Sequence, residues 1–436
     1  MKIYTVAEAQ KTILRRKALN RIEYSPLTIQ RTEAFFGKGV TPPKAVETIL
    51  DSIEADGDQA LMKWSKTLDN FEGDTILVPR KDLKDAWEQL SPALQKTLQT
   101  AADRIRKYHE KQPIPDWTTE DMGGRLGQRF TPIERVGVYV PGGTAPLPSS
   151  LLMSVIPAKV AGVKEIYVAT PPEVDLSILA AAYLCGVDAL YQVGGAQAIG
   201  AMAFGTETVR KVDKIVGAGN LFVTLAKMQV FGMVGLDGVY GPTETIVIAD
   251  SSANPAWVAA DLLAQAEHDV QATAILLTPD EDMAKKVQKE IDVQTAILGR
   301  NEIIEASVEN AGGIVLVESL EQAAEIANAF AAEHLCLSVE DPQALMDTIN
   351  NAGGFFLGDR SYEVLGDYVA GPSHVMPTGG SARFNSPLNV LDFVKLSSVI
   401  ALDDSNAKSL GLLAAELADL EGLTAHAAAA RARAVE

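Results

Sequence analysis

RVGVYVPGGTAPLPSSLLMSVIPAKVAGVKEIYVAT, residues 135–170, decides how the fold is read. Its opening run is short, apolar and stopped by proline and glycine, the mark of a buried strand. PSSLLMSVIPAKVAGV reads as a helix and KEIYVAT as the next strand. Working outward, DLSILAAAYLCG is helix, DALYQVG strand, AQAIGAMAFG helix, and DKIVGAGN a strand with its turn. This is alternation at the spacing of βαβ units, so a parallel sheet follows. A Gly-rich turn lies at 232–242, and then the alternation restarts. ETIVIAD, TAILLTP, GGIVLVES, HLCLSVE and GGFFLGD read as strands, with NPAWVAADLLAQAEH as the helix after the first. The two modules share no clear sequence repeat.

The flanks differ. Residues 1–25 read as an extended arm with a short helix. Residues 42–110 read as helical, with Pro43 suited to a first turn and Val46, Ile49, Leu50 and Ile53 at helical spacing. From Tyr362 to Pro387 the chain is rich in Gly, Pro and Ser and reads as a long loop, a length that usually marks function or disorder. The tail from about residue 400 is Ala- and Leu-rich and reads as helix.

The bulk numbers narrow the function. A chain of 436 residues suggests two or three domains, or one interleaved pair. The 38 basic and 57 acidic side chains leave a net charge of −19. Such a surface repels phosphate backbones and anionic lipid, so neither nucleic acid nor membrane is expected as a partner. Cys185 and Cys336 have no CxxC neighbours and are too few for a disulfide framework, which fits a reducing cytoplasm. The N-terminus lacks a signal-type apolar core, and no stretch approaches the roughly 20 apolar residues of a membrane helix.

Few residues are candidates for chemistry. Of five histidines, His268 sits three residues after Gln265 in DLLAQAEHD, so both share a helix face. Both side chains are able to bind zinc, although the pair alone reads more readily as a hydrogen-bonded helix face. Glu333 and His334 stand side by side at the mouth of a strand, where they could act as general base and acid, although alone they read more readily as an ordinary polar helix-to-strand junction. Asp367 and His374 lie in the long loop, Glu421 and His426 in the tail. His109 is expected on the surface. No GxGxxG turn follows a strand. The turns VYVPGG (138–143), VGGAQ (193–197) and GAGN (217–220) stand where doubly wound sheets place ligands, yet their glycines also suit plain chain reversals. Both cysteines lie in apolar runs and read as structural thiols.

Taken together, RVGVYVPGGTAPLPSSLLM, VGGAQAIGAMAFGTETV, KVDKIVGAGN, DLLAQAEHD, AAEHL, GDYVAGPSHVMPTGG and GLTAHA resemble the histidinol dehydrogenase family, in its order and spacing over nearly the whole chain. The resemblance implies an α/β fold of two incomplete Rossmann-like parallel-sheet modules, one inserted in the other. The first would comprise 26–135 plus 243–388 and the second, NAD-binding, 136–242. The arm 1–25 and a helical tail 389–436 would be exchanged in a homodimer. It implies one Zn2+ per subunit held by Gln265, His268, Asp367 and His426, with catalysis by Glu333 and His334. Tyr139, Gln197 and Asn220 would contact NAD. Thr243, His334, His374 and Glu421 would join the zinc ligands around L-histidinol, oxidised through the aldehyde to L-histidine. In that scheme His334 takes the alcohol proton and Glu333 activates water. The chain departs from the family at Thr243 in GPTE, where Ser is common, at GAGN in place of GPGN, and at PSH in place of PNH. No ligand is lost, but another primary alcohol, such as a sulfonated diol, is the alternative substrate.

Overall fold

The computed structural model describes residues 1–16, 24–142 and 146–434. Strand β1 (Ile3–Thr5) opens the chain, and β2 (Trp117–Thr119) and β3 (Gly124–Pro132) follow a helical region. The middle of the chain gives β4 (Arg135–Tyr139), β5 (Glu165–Thr170), β6 (Ala189–Gln192), β7 (Lys214–Val216) and β8 (Gly235–Leu236). Then come β9 (Glu244–Ala249), β10 (Thr273–Thr278), β11 (Gly313–Leu316), β12 (His334–Ser338) and β13 (Gly354–Leu357), and finally β14 (Val394–Leu402).

The middle strands form one parallel sheet in the order β6-β5-β4-β7-β8. The later strands, joined by β1, form the other in the order β1-β11-β10-β9-β12-β13. Counted from its own first strand, each set runs 3-2-1-4-5, the Rossmann order without its sixth strand. The β4–β8 set interrupts the chain between β1 and β9, so one module is inserted in the other. Helices cover both faces, which is why β9 and β12 are buried along their whole length and read as continuous apolar runs. Thr245, the second residue of β9, is a polar exception directly opposite His334 of β12.

The connection from β9 to β10 sets the site. Asn254 caps the helix Pro255–Ala266 by accepting from Ala256 N at 3.0 Å, and Pro255 supplies a preformed first turn. Thr273 of β10 lies beside Glu244 of β9, so this helix must return to the edge where both strands begin. Gln265 and His268 therefore arrive at the N-terminal edge of the sheet.

Several sequence expectations change. The expected loop from Tyr362 to Pro387 contains the helix Glu363–Tyr368 and a 3-10 turn, Ser381–Arg383. The tail expected to be helical from residue 389 includes β14, which pairs antiparallel with β3 over nine residues. Its run VKLSSVIAL alternates unevenly, and only a partner far upstream makes it a strand. The helices Asp404–Leu420 and Thr424–Ala434 do follow, packed on each other through Ala415, Ala418 and Ala427. His109, expected on the surface, is fully buried. Its Nδ1 pairs with Gln112 Oε1 at 2.8 Å, and Gln112 in turn accepts from Val390 N, so a distant segment covers this helix end. Within the single chain, β1 of the expected N-terminal arm pairs with β11 of its own sheet.

Candidate active site at the seam of the two sheets

The two sheets meet through opposite edges. Pro141, Gly217 and Ala218 follow β4 and β7 at the C-terminal edge of the middle sheet. Thr243 and Glu333 precede β9 and β12 at the N-terminal edge of the other. All five line one cleft of about 120 Å³, together with Ser150, Ser154, Tyr240 and His374. In each sheet the strands concerned are the first and fourth of the set, where the strand order reverses. A larger cavity of about 350 Å³ beside Trp257, Asp261 and Arg360 holds none of the expected residues. The convergent polar groups, not the volume, single out the smaller cleft.

Glu333 and His334 are both buried here. Thr243 Oγ1 donates to Glu333 Oε2 at 2.5 Å and Glu244 N donates to the same oxygen at 3.1 Å. Burial nevertheless pushes the Glu333 carboxyl up to about 8, with Glu244 and Asp367 adding repulsion. His334 Nδ1 lies 4.0 Å from Glu333 and 3.6 Å from Glu363, and its Nε2 lies 3.9 Å from Asp367. Burial outweighs these three carboxylates. With His268 and His374 close by, it holds His334 down to about 3, so the ring is neutral at ordinary pH. Nε2 is buried without a hydrogen-bond partner. This nitrogen is an open polar position inside the cluster.

Gln265, His268 and Asp367 gather at the same edge. Gln265 is fully buried; its Oε1 accepts from Thr245 at 2.9 Å while its Nε2 has no partner. Turning the amide over would pair Nε2 with Thr245 and present Oε1 instead, since the two atoms are alike in shape. Burial pushes Asp367 up to about 7 and lowers His268. Glu363, bonded to Thr245 and fully buried, is pushed well above the usual carboxylate range, first by burial and then by Asp367. Among the described residues no lysine or arginine pairs with Glu363 or Asp367; such crowded carboxylates ask for a cation, and one amide oxygen, one carboxylate and one imidazole suit zinc. The set is incomplete. Among the described residues no three His, Cys, Asp or Glu side chains form a metal cluster. Glu421 and His426 sit exposed on the C-terminal helical hairpin, and neither side chain makes a hydrogen bond or ion pair to this site.

His374 lies across the cleft. Its Nδ1 pairs with the Asp367 carbonyl oxygen at 2.8 Å and its Nε2 with Ser150 Oγ at 3.2 Å. Because a carbonyl only accepts, Nδ1 carries the proton. Burial lowers the ring to about 4.

The nucleotide candidates surround the C-terminal edge of the middle sheet. Tyr139 ends β4, and its hydroxyl accepts from Gly195 N at 3.2 Å. Gln197 donates to Asp69 at 2.9 Å and leaves its buried Oε1 unpaired. Asn220 caps the helix Leu221–Val230, its side chain accepting from Phe222 N and Val223 N. At Gly219 an added Cβ would stand 2.6 Å from Val223 Cγ1 and 2.9 Å from the Tyr139 ring. A close backbone turn at a helix N-terminus beside an orphaned amide oxygen fits a dinucleotide. Gly143 of VYVPGG falls outside the described residues.

Sequence reading missed several contributors. Lys227 and Asp237 form a buried ion pair at 2.6 Å; Lys227 donates to Gly217 O and Asp237 accepts from Gly217 N, which clasps the GAGN turn from both sides. Thr245 and Glu363 were also missed. Their signals were present: Thr245 alternates with Thr243 on one strand face, and Glu363 is four residues before Asp367, one helical turn away.

Two Rossmann-ordered sheets closing on a buried carboxylate–imidazole pair define an α/β enzyme. The family model for histidinol dehydrogenase matches residues 39–434. The histidinol dehydrogenase of Methylococcus capsulatus is 49% identical over 395 residues, covering 89% of this chain and 91% of that protein. The one from Dehalococcoides mccartyi is 44% identical and covers 97% of each. The crystal structure of histidinol dehydrogenase from Elizabethkingia anophelis superposes with a TM-score of 0.90 at 35% identity, covering 99% of this chain and 98% of that one. The chain belongs to the histidinol dehydrogenase family and is an oxidoreductase of it.

Proposed function

We propose that the protein oxidises L-histidinol through L-histidinal to L-histidine with two NAD, using one Zn2+ per subunit, as a cytoplasmic homodimer. The observation that carries this is His334. Its Nε2 is buried and unpartnered, 3.9 Å from Asp367, and the neighbouring Glu333 lines the cleft.

Bound zinc, held by Gln265, His268 and Asp367, would orient the substrate's amine and imidazole, a templating role. Bound NAD, contacted by Tyr139, Gln197 and Asn220, would accept the hydride of each oxidation. The remaining work falls to the chain's own side chains. His334 takes the alcohol proton on Nε2 and passes it to solvent before the second oxidation. Glu333, once ionised, takes a proton from the water that attacks the aldehyde carbon, and the deprotonated His334 then takes the hydroxyl proton of the hydrate. His374, fixed by the Asp367 carbonyl and Ser150, bounds the substrate.

Thr243 keeps the hydroxyl that holds Glu333 at 2.5 Å, so the departure from serine leaves this contact in place. Among the described residues the cleft lining includes no lysine or arginine, which disfavours an anionic sulfonated diol. Glu421 and His426 reach the site of the partner subunit by exchange of the tail; the exposed Leu413, Leu417 and Leu420 of the hairpin suit burial against a second copy.

The test is a count of NADH formed per L-histidinol consumed. Two are expected, with L-histidine as product. One NADH with accumulated aldehyde, or no NADH at all, contradicts the reading.

A further inference from the structure

We propose that Glu363 and Thr245 set the direction of a buried hydrogen-bond chain, which turns an oxygen of Gln265 and a lone pair of His334 into the site. This rests on the reading of Gln265 as a cation ligand and His334 as the proton acceptor.

Four side chains from four elements meet at one hydroxyl. Thr245 Oγ1 lies 2.9 Å from the Gln265 amide and 3.4 Å from His334 Nδ1, and it is bonded to Glu363 Oε2. Strand register brings Thr245 opposite His334, while Gln265 and Glu363 come from the helices Pro255–Ala266 and Glu363–Tyr368. All four are buried, so water cannot repair a wrong pairing.

A hydroxyl has one proton to give and two lone pairs to fill. With Glu363 Oε2 as acceptor of that proton, whether the carboxyl is ionised or carries its own proton on Oε1, both lone pairs need donors. Among the described residues the groups in reach are His334 Nδ1–H and a Gln265 N–H. This requires the Gln265 amide in its turned-over orientation. Its oxygen then occupies the place where an unpartnered buried nitrogen otherwise stands. His334, protonated on Nδ1, keeps its lone pair on Nε2, the other unpartnered atom. One assignment thus explains both orphaned positions. The reverse direction, with a donor at position 363, makes Thr245 donate to Gln265 Oε1. A Gln265 N–H then points at the cation and repels it. Glu363 and Thr245 are positioning residues, since they act through Gln265 and His334.

The deciding variant is Glu363→Gln, which keeps the volume and introduces a donor. The experiment measures Co2+ affinity of the full-length protein by chelator competition, with the visible absorption of bound cobalt as a second signal. Glu363→Gln and Thr245→Val should bind Co2+ about 10- to 100-fold more weakly, the usual effect of removing an outer partner of a ligand, while Thr245→Ser stays near wild type. Nitrogen-15 spectra of histidine-labelled protein should show His334, identified by its loss in His334→Asn, as the Nδ1–H form. Wild-type Co2+ affinity in Glu363→Gln, or His334 protonated on Nε2 in the unaltered protein, overturns the proposal. Gln265→Ala is the control: wild-type affinity there defeats the ligand reading itself.

Discussion

The two parallel sheets share a strand order and differ in which edge they turn to the cleft. The middle sheet follows the general rule for open α/β sheets: its C-terminal edge, between β4 and β7, carries the glycine turns and a helix N-terminus. The other sheet uses the same switch point, between β9 and β12, but presents its N-terminal edge. There the return of the helix Pro255–Ala266 delivers Gln265 and His268, and strand starts deliver Glu333 and His334. In the proposed function, one sheet receives the cofactor by backbone and caps. The other serves proton transfer and cation binding by buried side chains. Strand order tells where the chain opens; it does not tell which edge bears the chemistry.

The division of labour breaks if a change in the middle sheet costs more turnover than one in the other. His334→Asn should lower kcat by about 10²- to 10⁴-fold, the range for losing a general base, whereas Tyr139→Phe should act mainly through KM for NAD. Steady-state kinetics on both variants check this, and a larger kcat loss in Tyr139→Phe would reverse the assignment.

A smaller effect sharpens the second half of the comparison, since the proposed cation site takes His426 from the partner subunit. His426→Ala and a Glu333→Gln/His334→Asn double variant should each be inactive. Subunits of the two exchanged into mixed dimers should regain part of the activity through the one site that has every group. No regain in verified mixed dimers would place His426 in its own subunit's site or outside any site.

The smallest effect is on stability with pH. Glu333 is raised from an ordinary unfolded value near 4.5 to about 8. Its contribution is therefore fully present below 4.5 and fades as pH climbs toward and through 8. His334, depressed to about 3, works the other way: its contribution is full above 6.5 and is lost as pH falls toward 3. Between pH 7 and 8 the Glu333 trend stands alone of the two. Thermal melts of metal-free protein should show declining stability there, and Glu333→Gln should flatten the decline. An unchanged slope in the variant would locate the titration elsewhere.

Much of this was legible in the sequence because parallel strands buried on both faces leave continuous apolar runs. β4, β5, β9, β10 and β12 all do. The shared strand order was not legible, since topology depends on pairing and the modules share no sequence repeat. β14 was missed because its partner β3 lies far upstream, and His109 because the segment covering it arrives from near Val390. In the site, the resemblance placed Gln265, His268, Asp367, Glu333 and His334 together, and the fold brings them to one edge. Thr245 and Glu363 escaped notice because a threonine in a strand and a glutamate in an expected loop look ordinary until the strand register and a short helix bring them together.

The most direct test of the seam between unlike edges is an anomalous-diffraction map, collected at the zinc edge from crystals grown with Zn2+ and L-histidinol. The account predicts one peak per subunit, about 2.0–2.2 Å from Gln265, His268 and Asp367, with the substrate's hydroxyl carbon between His334 and the C-terminal edge of the middle sheet. A peak bound elsewhere, or these three side chains pointing away from it, would contradict the account.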